Sequence, residues 1–280
     1  MKILFIGNRL NVLTELFALN EKITLINILV LKDSLLEKSL SQQNVRYEPF
    51  YMKDKQFIVD KIKTSDFDVL ISNGCPFVLP VSKIKLPHQK FINIHPTYLP
   101  YLKGRTPING LFYNKMAFFG ATMHFMDDGI DTGQIIHQEK IDLTADIDLA
   151  MVYYMSFRLE GSIFRKGFKD YILNNKPIID REQEQGNSFN RDPKYQILNL
   201  SDSNHDILKT IKAFGISSQG SFTTIQGKEI IIFSAIEIIN QKFLAWFKDE
   251  PVGNLLLELD HSIYVKTKTG IIKLTRYKWN

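Results

Sequence analysis

Two polar clusters in this chain carry residue types that could move an acyl group. The first is FINIHPTYLPYLKGRTPIN, Phe91–Asn109, where a run of strand-forming residues holds Asn93 and His95 before Pro96 and Pro100 bar an immediate helix. The second, GATMHFMDDGIDTGQII, Gly120–Ile136, sets Asp127, Asp128 and Asp131 among glycines between two β-rich runs. An amide, an imidazole and a carboxylate together suit acyl transfer to an amine. The amine must shed a proton, and the carbonyl oxygen becomes an oxyanion that needs donors. In that chemistry Asn93 and a protonated His95 donate to the oxyanion, while Asp131 orients the imidazole and favours its charged form. No serine or cysteine nucleophile is needed, because the attacking group belongs to the substrate. The same spacing equally suits a turn-forming Asn93 and a packed structural His95, so residue types alone leave both readings open.

Neighbouring residues read more simply. Asp127 and Asp128 lie beside Gly129, where aspartates commonly cap turns. His124 lies on one strand face with Thr122 and Met126, packed or lining the site, and His88, His137, His205 and His261 read as incidental. No His/Asp/Glu pair has helical ligand spacing and Cys75 is the only cysteine, so neither a metal site nor a disulfide framework is expected.

The elements that must position these clusters follow from periodicity. Apolar β-rich runs at Lys2–Ile6, Ile23–Leu31, Val45–Pro49, Val69–Ser72 and Lys90–Ile94 alternate with helix-period stretches such as Val12–Leu19 and Asp54–Lys63. That alternation predicts a mostly parallel sheet with crossover helices, an α/β fold in which ligands bind at the carboxyl ends of the strands. Two further strands, Ala121–Met126 and Gln134–Ile141, bracket the aspartate loop and can bring Asp131 over the same sheet edge. Ile147–Leu173 has apolar residues every three or four positions, the pattern of a core helix. The polar stretch Pro177–Lys194 reads as a linker. Beyond it a helix near Ser203–Phe214 precedes short strands at Ser221–Ile225, Glu229–Ile236, Asn254–Leu257, Ile263–Lys266 and Ile271–Arg276, a small barrel or curled sheet. The expected domains are 1–180, a linker at 181–197, and a β-rich, OB-like domain at 198–280.

Bulk composition excludes several classes. The 280 residues are 44% apolar, enough to bury a large core, and the net charge of +5 comes mostly from scattered lysines rather than a basic tail. No run approaches the ~18 apolar residues of a membrane span, and the opening run Ile3–Gly7 is too brief for a signal-peptide core, so a cytoplasmic protein is expected.

At the two clusters the sequence also resembles a known family. Asn93-Ile94-His95-Pro96-Thr97-Tyr98-Leu99-Pro100, then Lys103-Gly104, resembles the Asn-x-His-x-Ser-Leu-Leu-Pro-x-x-(Lys/Arg)-Gly signature of the formyltetrahydrofolate-dependent formyltransferases, and Asp127–Gly133 resembles their Asp-x-Gly-x-Asp-Thr-Gly loop. The resemblance implies Asn93, His95 and Asp131 as the catalytic set, a Rossmann-like fold without a dinucleotide fingerprint, and N10-formyltetrahydrofolate as cosubstrate with no metal. It implies a cofactor pocket lined by Phe77, Val78, Leu79, Asp127 and Asp128. The C-terminal segment looks like the small domain of methionyl-tRNA formyltransferases and of several nucleotide-sugar N-formyltransferases. The tRNA enzymes usually carry a basic, glycine-containing insertion after the second strand, which LVLKDSLLEKSLSQQN, Leu29–Asn44, lacks. The resemblance therefore favours a nucleotide-linked amino sugar of the kind used for surface glycans, such as a dTDP-sugar of lipopolysaccharide O-antigen, over nucleic acid or membrane. Methionyl-tRNA formylation is the alternative. Arg105 is carried over as a substrate contact, Asn8, Arg9 and Asn11 join it by their place after the first strand, and a homodimer is compatible with the resemblance.

Overall fold

The run KILFIG explains the centre of the fold. In β1 (Lys2–Gly7) the residues from Ile3 onward are all buried, as a parallel strand covered on both faces requires. Ile3 and Phe5 join one apolar cluster, while Leu4 and Ile6 join another on the opposite face. The computed structural model describes residues 1–19, 22–178 and 185–280. The beginning of the expected linker, 181–184, lies outside the described residues.

Two units make up the chain. Met1–Pro107, Phe118–Asp142 and Tyr154–Phe189 form the first. Its sheet adds β2 (Thr24–Leu31), β3 (Glu48–Phe50), β4 (Val69–Asn73), β5 (Lys90–His95), β6 (Phe118–Phe125) and β7 (Ile135–Asp142), in the order β3-β2-β1-β4-β5-β6-β7. The first five strands are parallel, and β6 and β7 pair antiparallel. Helices α1 (Leu10–Phe17) and α2 (Leu35–Gln42) contribute Val12, Leu13, Leu16, Leu36 and Leu40 to one face. Helices α3 (Lys55–Thr64) and α4 (Val81–Ile84) contribute Ile58, Val59, Ile62, Val81 and Ile84 to the other. This is the expected Rossmann-like, mostly parallel arrangement. The chain leaves β1 toward β2 and β3, then returns to β4 and β5 on the other side, so the strand order reverses beside the carboxyl ends of β1 and β4.

Two local departures have physical causes. The expected strand Val45–Pro49 shortens to Glu48–Phe50, because Val45 and Tyr47 pack against the core from outside the ladder. Helix α2 was not foreseen, although Ser34-Leu35-Leu36-Glu37 is a capping-box pattern. Ser34 Oγ accepts from Glu37 N at 3.1 Å and Glu37 Oε2 accepts from Asp33 N at 2.7 Å.

The second unit comprises Ile108–Ala117, Leu143–Tyr153 and Asn190–Asn280. Strands β8 (Ser221–Ile225), β9 (Lys228–Glu237), β10 (Leu255–Leu259), β11 (Ser262–Thr267) and β12 (Gly270–Trp279) form an antiparallel sheet ordered β10-β11-β12-β9-β8. Helix α7 (Asn204–Ala213) covers its core through Ile207 and Ile211, and the short α8 (Gln241–Trp246) follows β9. Whereas the sequence reading gave everything before 181 to one domain, helix α5 (Gly110–Tyr113) and the segment before Tyr154 count with this sheet. The reason is polar: Asn109 Nδ2 donates to Ala213 O at 2.6 Å, and Tyr153 Oη donates to Asn109 Oδ1 at 3.0 Å. Helix α6 (Leu149–Gly167) continues into a π-helical turn at Phe168–Leu173, matching the amphipathic stretch. Among the described residues no helix is long and apolar enough to cross a membrane.

Candidate active site

Strand alternation puts Asn93 and His95 on one face of β5, while Ile92 and Ile94 enter the core on the other. Antiparallel pairing then sets His124 opposite Asn93 and Thr122 opposite His95. Asp131 arrives from the loop between β6 and β7, in a left-handed conformation with φ of 55°. That loop is braced from within, because Asp127 Oδ1 accepts from Gly129 N at 3.0 Å and from Thr132 Oγ1 at 2.7 Å. Gly133 closes the loop where a Cβ would stand 1.9 Å from Phe125 O, so only glycine fits.

The three expected residues converge. His95 Nδ1 lies 3.4 Å from Asp131 Oδ2, and Asn93 Nδ2 lies 3.4 Å from Asp131 Oδ1. Gly104 N donates to Asp131 Oδ2 at 2.9 Å. Ser72 Oγ donates to Asn93 Oδ1 at 2.9 Å, and His124 Nε2 lies 3.2 Å from Asn93 Nδ2. The other nitrogen of His95, Nε2, faces Leu102 O at 3.1 Å. Both ring nitrogens of a buried imidazole thus face acceptors.

The electrostatics of the cluster are set by burial. Burial of the His95 ring disfavours its cation more than the Asp131 carboxylate favours it, so its pKa lies below the ordinary imidazole value and the resting ring is neutral. The sequence reading had the protonated ring donating to the oxyanion and took Asp131 to favour that charged form. Burial also pushes Asp131 upward, but its contacts with His95, His124 and Gly104 N–H outweigh that and hold the carboxyl below its usual range. A neutral ring flanked by a carboxylate and a carbonyl is arranged to accept a proton, because both neighbours stabilise the cation that results. Cys75 stands at the same cleft, but burial pushes its thiol up to about 12, so it offers no thiolate nucleophile.

Comparison with known proteins decides the family. The formyl transferase family model matches residues 32–165, and the model for the formyl transferase C-terminal domain matches residues 192–280. This chain belongs to the formyltransferase family. It is 29% identical over 166 residues to the methionyl-tRNA formyltransferase of Clostridioides difficile (strain 630), a match covering 59% of this chain and about half, 52%, of that relative. By structure it resembles an N-formyltransferase from Helicobacter canadensis in complex with folinic acid and dTDP-3-aminofucose, with a TM-score of 0.67, 17% identity and 98% of each chain covered. HypX from Aquifex aeolicus in complex with tetrahydrofolic acid is similar at a TM-score of 0.65 and 14% identity, over 100% of this chain and 44% of that one. At such identities the structural likeness concerns the fold.

In this formyltransferase-family chain, the cleft beside Asn93, His95 and Asp131 encloses about 740 Å³ including its open mouth. Phe77, Val78, Leu79, Asp127, Arg9 and Arg105 line it. Asp128 does not. Its carboxylate instead accepts from Ser82 N at 2.9 Å, tying the aspartate loop to α4. Of the three residues grouped after β1, only Arg9 reaches the cleft. Helix α1 has begun by Leu10, which turns Asn11 so that its Nδ2 donates to Phe157 O at 2.8 Å. Asn8 fills the space beside Gly74, where a Cβ would stand 2.0 Å from Asn8 Oδ1. Sequence reasoning missed Ser72 and the Gly104 N–H, and it did not join His124 to Asn93. Pairing β6 antiparallel to β5 would have supplied that last link.

Proposed function

We propose that this chain transfers the formyl group of N10-formyltetrahydrofolate to the amino group of a nucleotide-linked amino sugar in the cytoplasm, for surface-glycan synthesis of the O-antigen type. The observation that carries formyl transfer is the convergence of Asn93, His95 and Asp131 at one cleft. Asn93 donates to the formyl oxygen as it gains charge, and the acceptor nitrogen bonds to the formyl carbon. With the Nε2–H of neutral His95 donating to Leu102 O, its Nδ1 takes the amine proton, and Asp131 beside that nitrogen stabilises the imidazolium. The carbon–N10 bond then breaks, and the proton ends on N10. The apolar wall of Phe77 and Leu79 next to exposed Asp127 suits a flat, hydrogen-bonding ring system such as the pterin, and no metal takes part.

For the acceptor, α2 follows β2 directly, leaving no room in Lys32–Ser34 for a long basic loop. A relative of the same fold was crystallised with dTDP-3-aminofucose, which supports a thymidine or uridine diphosphate sugar. The second reading, methionyl-tRNA formylation, is favoured by the name of the sequence relative. Incubating the protein and formyl donor with a panel of nucleotide amino sugars and with charged initiator tRNA, and following free tetrahydrofolate, separates the two. Turnover confined to the sugars is expected. Turnover confined to the tRNA overturns the acceptor assignment, and turnover without any acceptor identifies a hydrolase.

A further inference from the structure

Behind the cleft lies a buried acid that formyl transfer, as described, does not use. Glu160 on α6 is fully buried and forms an ion pair with the guanidinium of Arg9. Phe157, three residues earlier on the same helix, lies under that guanidinium at 4.5 Å from its ring centroid. On a third side Gly74, with φ of 79°, brings backbone close, and a Cβ there would stand 3.3 Å from Arg9 Nε. One edge of the guanidinium is thus held by a carboxylate and one face by a ring, while Arg9 lines the cleft. Surface arginines are not held this way.

The arrangement is costly to the fold. Ser156 Oγ, one turn before Glu160, is buried without a hydrogen-bond partner, and Asn73 is the second side chain set against the Glu160 carboxyl. Burial pushes the Glu160 carboxyl up to about 7 against the opposing pull of Arg9 and a side-chain hydrogen bond from Asn73. A fully buried acid whose ionisation is this costly adds little stability and fits a positional role better.

The geometry points to Glu160 as a positioning residue that, with Phe157, fixes Arg9 to read a hydroxyl oxygen of the acceptor sugar beside its reacting amine. This rests on the nucleotide-sugar reading. Arg9 lines the same cleft as His95 and Asp131, so its free N–H groups face the space in which the sugar bearing the reacting amine must lie. One edge of its guanidinium is taken by Glu160 and one face by Phe157, leaving directed N–H donors suited to a sugar oxygen.

The test compares two acceptors, a nucleotide amino sugar bearing a hydroxyl on the carbon next to the amine and its deoxy counterpart, in wild type, R9A, E160Q and the double variant. Wild type prefers the hydroxylated acceptor by about tenfold or more in kcat/KM, because the deoxy analogue leaves a buried donor unpaired. R9A loses the preference. E160Q keeps the side-chain shape but removes the anchoring charge, and it loses most of the preference through acceptor KM while KM for the formyl donor stays unchanged. The double variant matches R9A, since Glu160 acts through Arg9. If E160Q does not fold, F157L is used instead and shows the same loss. A preference that survives in R9A, or a wild type indifferent to the hydroxyl, overturns the inference alone. A wild type that formylates no nucleotide amino sugar overturns the acceptor reading and this inference with it.

Discussion

Asn93 Nδ2 lies 3.2 Å from His124 Nε2, and that contact fixes which way the Asn93 amide faces. His124 Nδ1 is 2.7 Å from Phe125 O and its Nε2 also lies 3.6 Å from Asp131 Oδ1, so the ring that abuts the Asn93 amide is itself held in place at both nitrogens. Ser72 Oγ donates to the other end of the same amide. The two neighbours together aim the Asn93 N–H groups and keep the amide from flipping.

His124→Leu and Ser72→Ala should therefore each lower kcat by about tenfold or more while leaving formyl-donor KM within about threefold, because a misaimed donor loses transition-state stabilisation rather than ground-state binding. Single-turnover rates check this. Unchanged rates in both variants would show that the amide needs no such support.

His95→Ala and Asp131→Ala should lower kcat by at least about two to three decades with the fold retained, since each removes charge stabilisation at the reacting centre. Circular dichroism and a melting curve establish folding, and tetrahydrofolate release gives the rate. Activity within a few-fold of wild type would refute the assignment of these two residues.

Much of this site was legible in the sequence because it rests on short-range rules. Asn93 and His95 sit two apart on a strand, and Asp131 lies in a loop whose glycines and aspartates fix its turns. The parallel sheet was legible for a similar reason, since its strands are uninterrupted apolar runs such as Lys2–Gly7. What stayed hidden depends on contacts between residues far apart in the chain. Glu160 meets Arg9 across 151 positions, and Asn109 meets Ala213 across 104. The neutral resting state of His95 was hidden too. It follows from complete burial, which Asn-x-His spacing does not encode.

At saturating acceptor, where acceptor KM no longer enters, the pH–rate profile should rise through neutral pH with a single limb set by the acceptor amine, which at a pKa of about 8 is mostly cationic below it. His95, with its pKa depressed by burial, is neutral throughout that range and able to accept the proton, so it adds no falling limb above pH ~6.5. Its own protonation inhibits only further into acid. The sign for stability agrees. Between the depressed value and the ordinary one the unfolded chain binds more protons, so stability rises with pH in that window. A rate that falls between about pH 6.5 and 8 would mean that a cationic His95 is required after all.

Gly133→Ala should destabilise the aspartate loop, because the added Cβ would meet the Phe125 carbonyl oxygen at 1.9 Å and backbone at that position cannot swing away as a side-chain tip can. The expected result is a lower Tm together with a larger fractional loss of kcat than of stability, since Asp131 lies two residues away in the same loop. Wild-type activity and Tm would show that the loop yields at little cost.

The last prediction concerns salt. A nucleotide sugar binds through a few directed contacts, so its affinity should weaken only modestly as salt rises. Transfer RNA would require several Lys or Arg contacts to phosphates at once, and counterion release would then lower affinity by roughly three decades or more between about 50 and 200 mM salt for about six contacts. The lysines of this chain are dispersed, and α2 leaves no basic loop after β2. We therefore expect measurable binding of a thymidine or uridine diphosphate-linked amino sugar at about 150 mM salt, and no saturable binding of initiator tRNA there, where exposed charges are screened within about 8 Å. Calorimetry or fluorescence titration at several salt concentrations measures both. Tight tRNA binding with a steep salt slope, accompanied by formylation of its methionine, would replace the sugar with tRNA as acceptor while leaving the roles of Asn93, His95 and Asp131 unchanged.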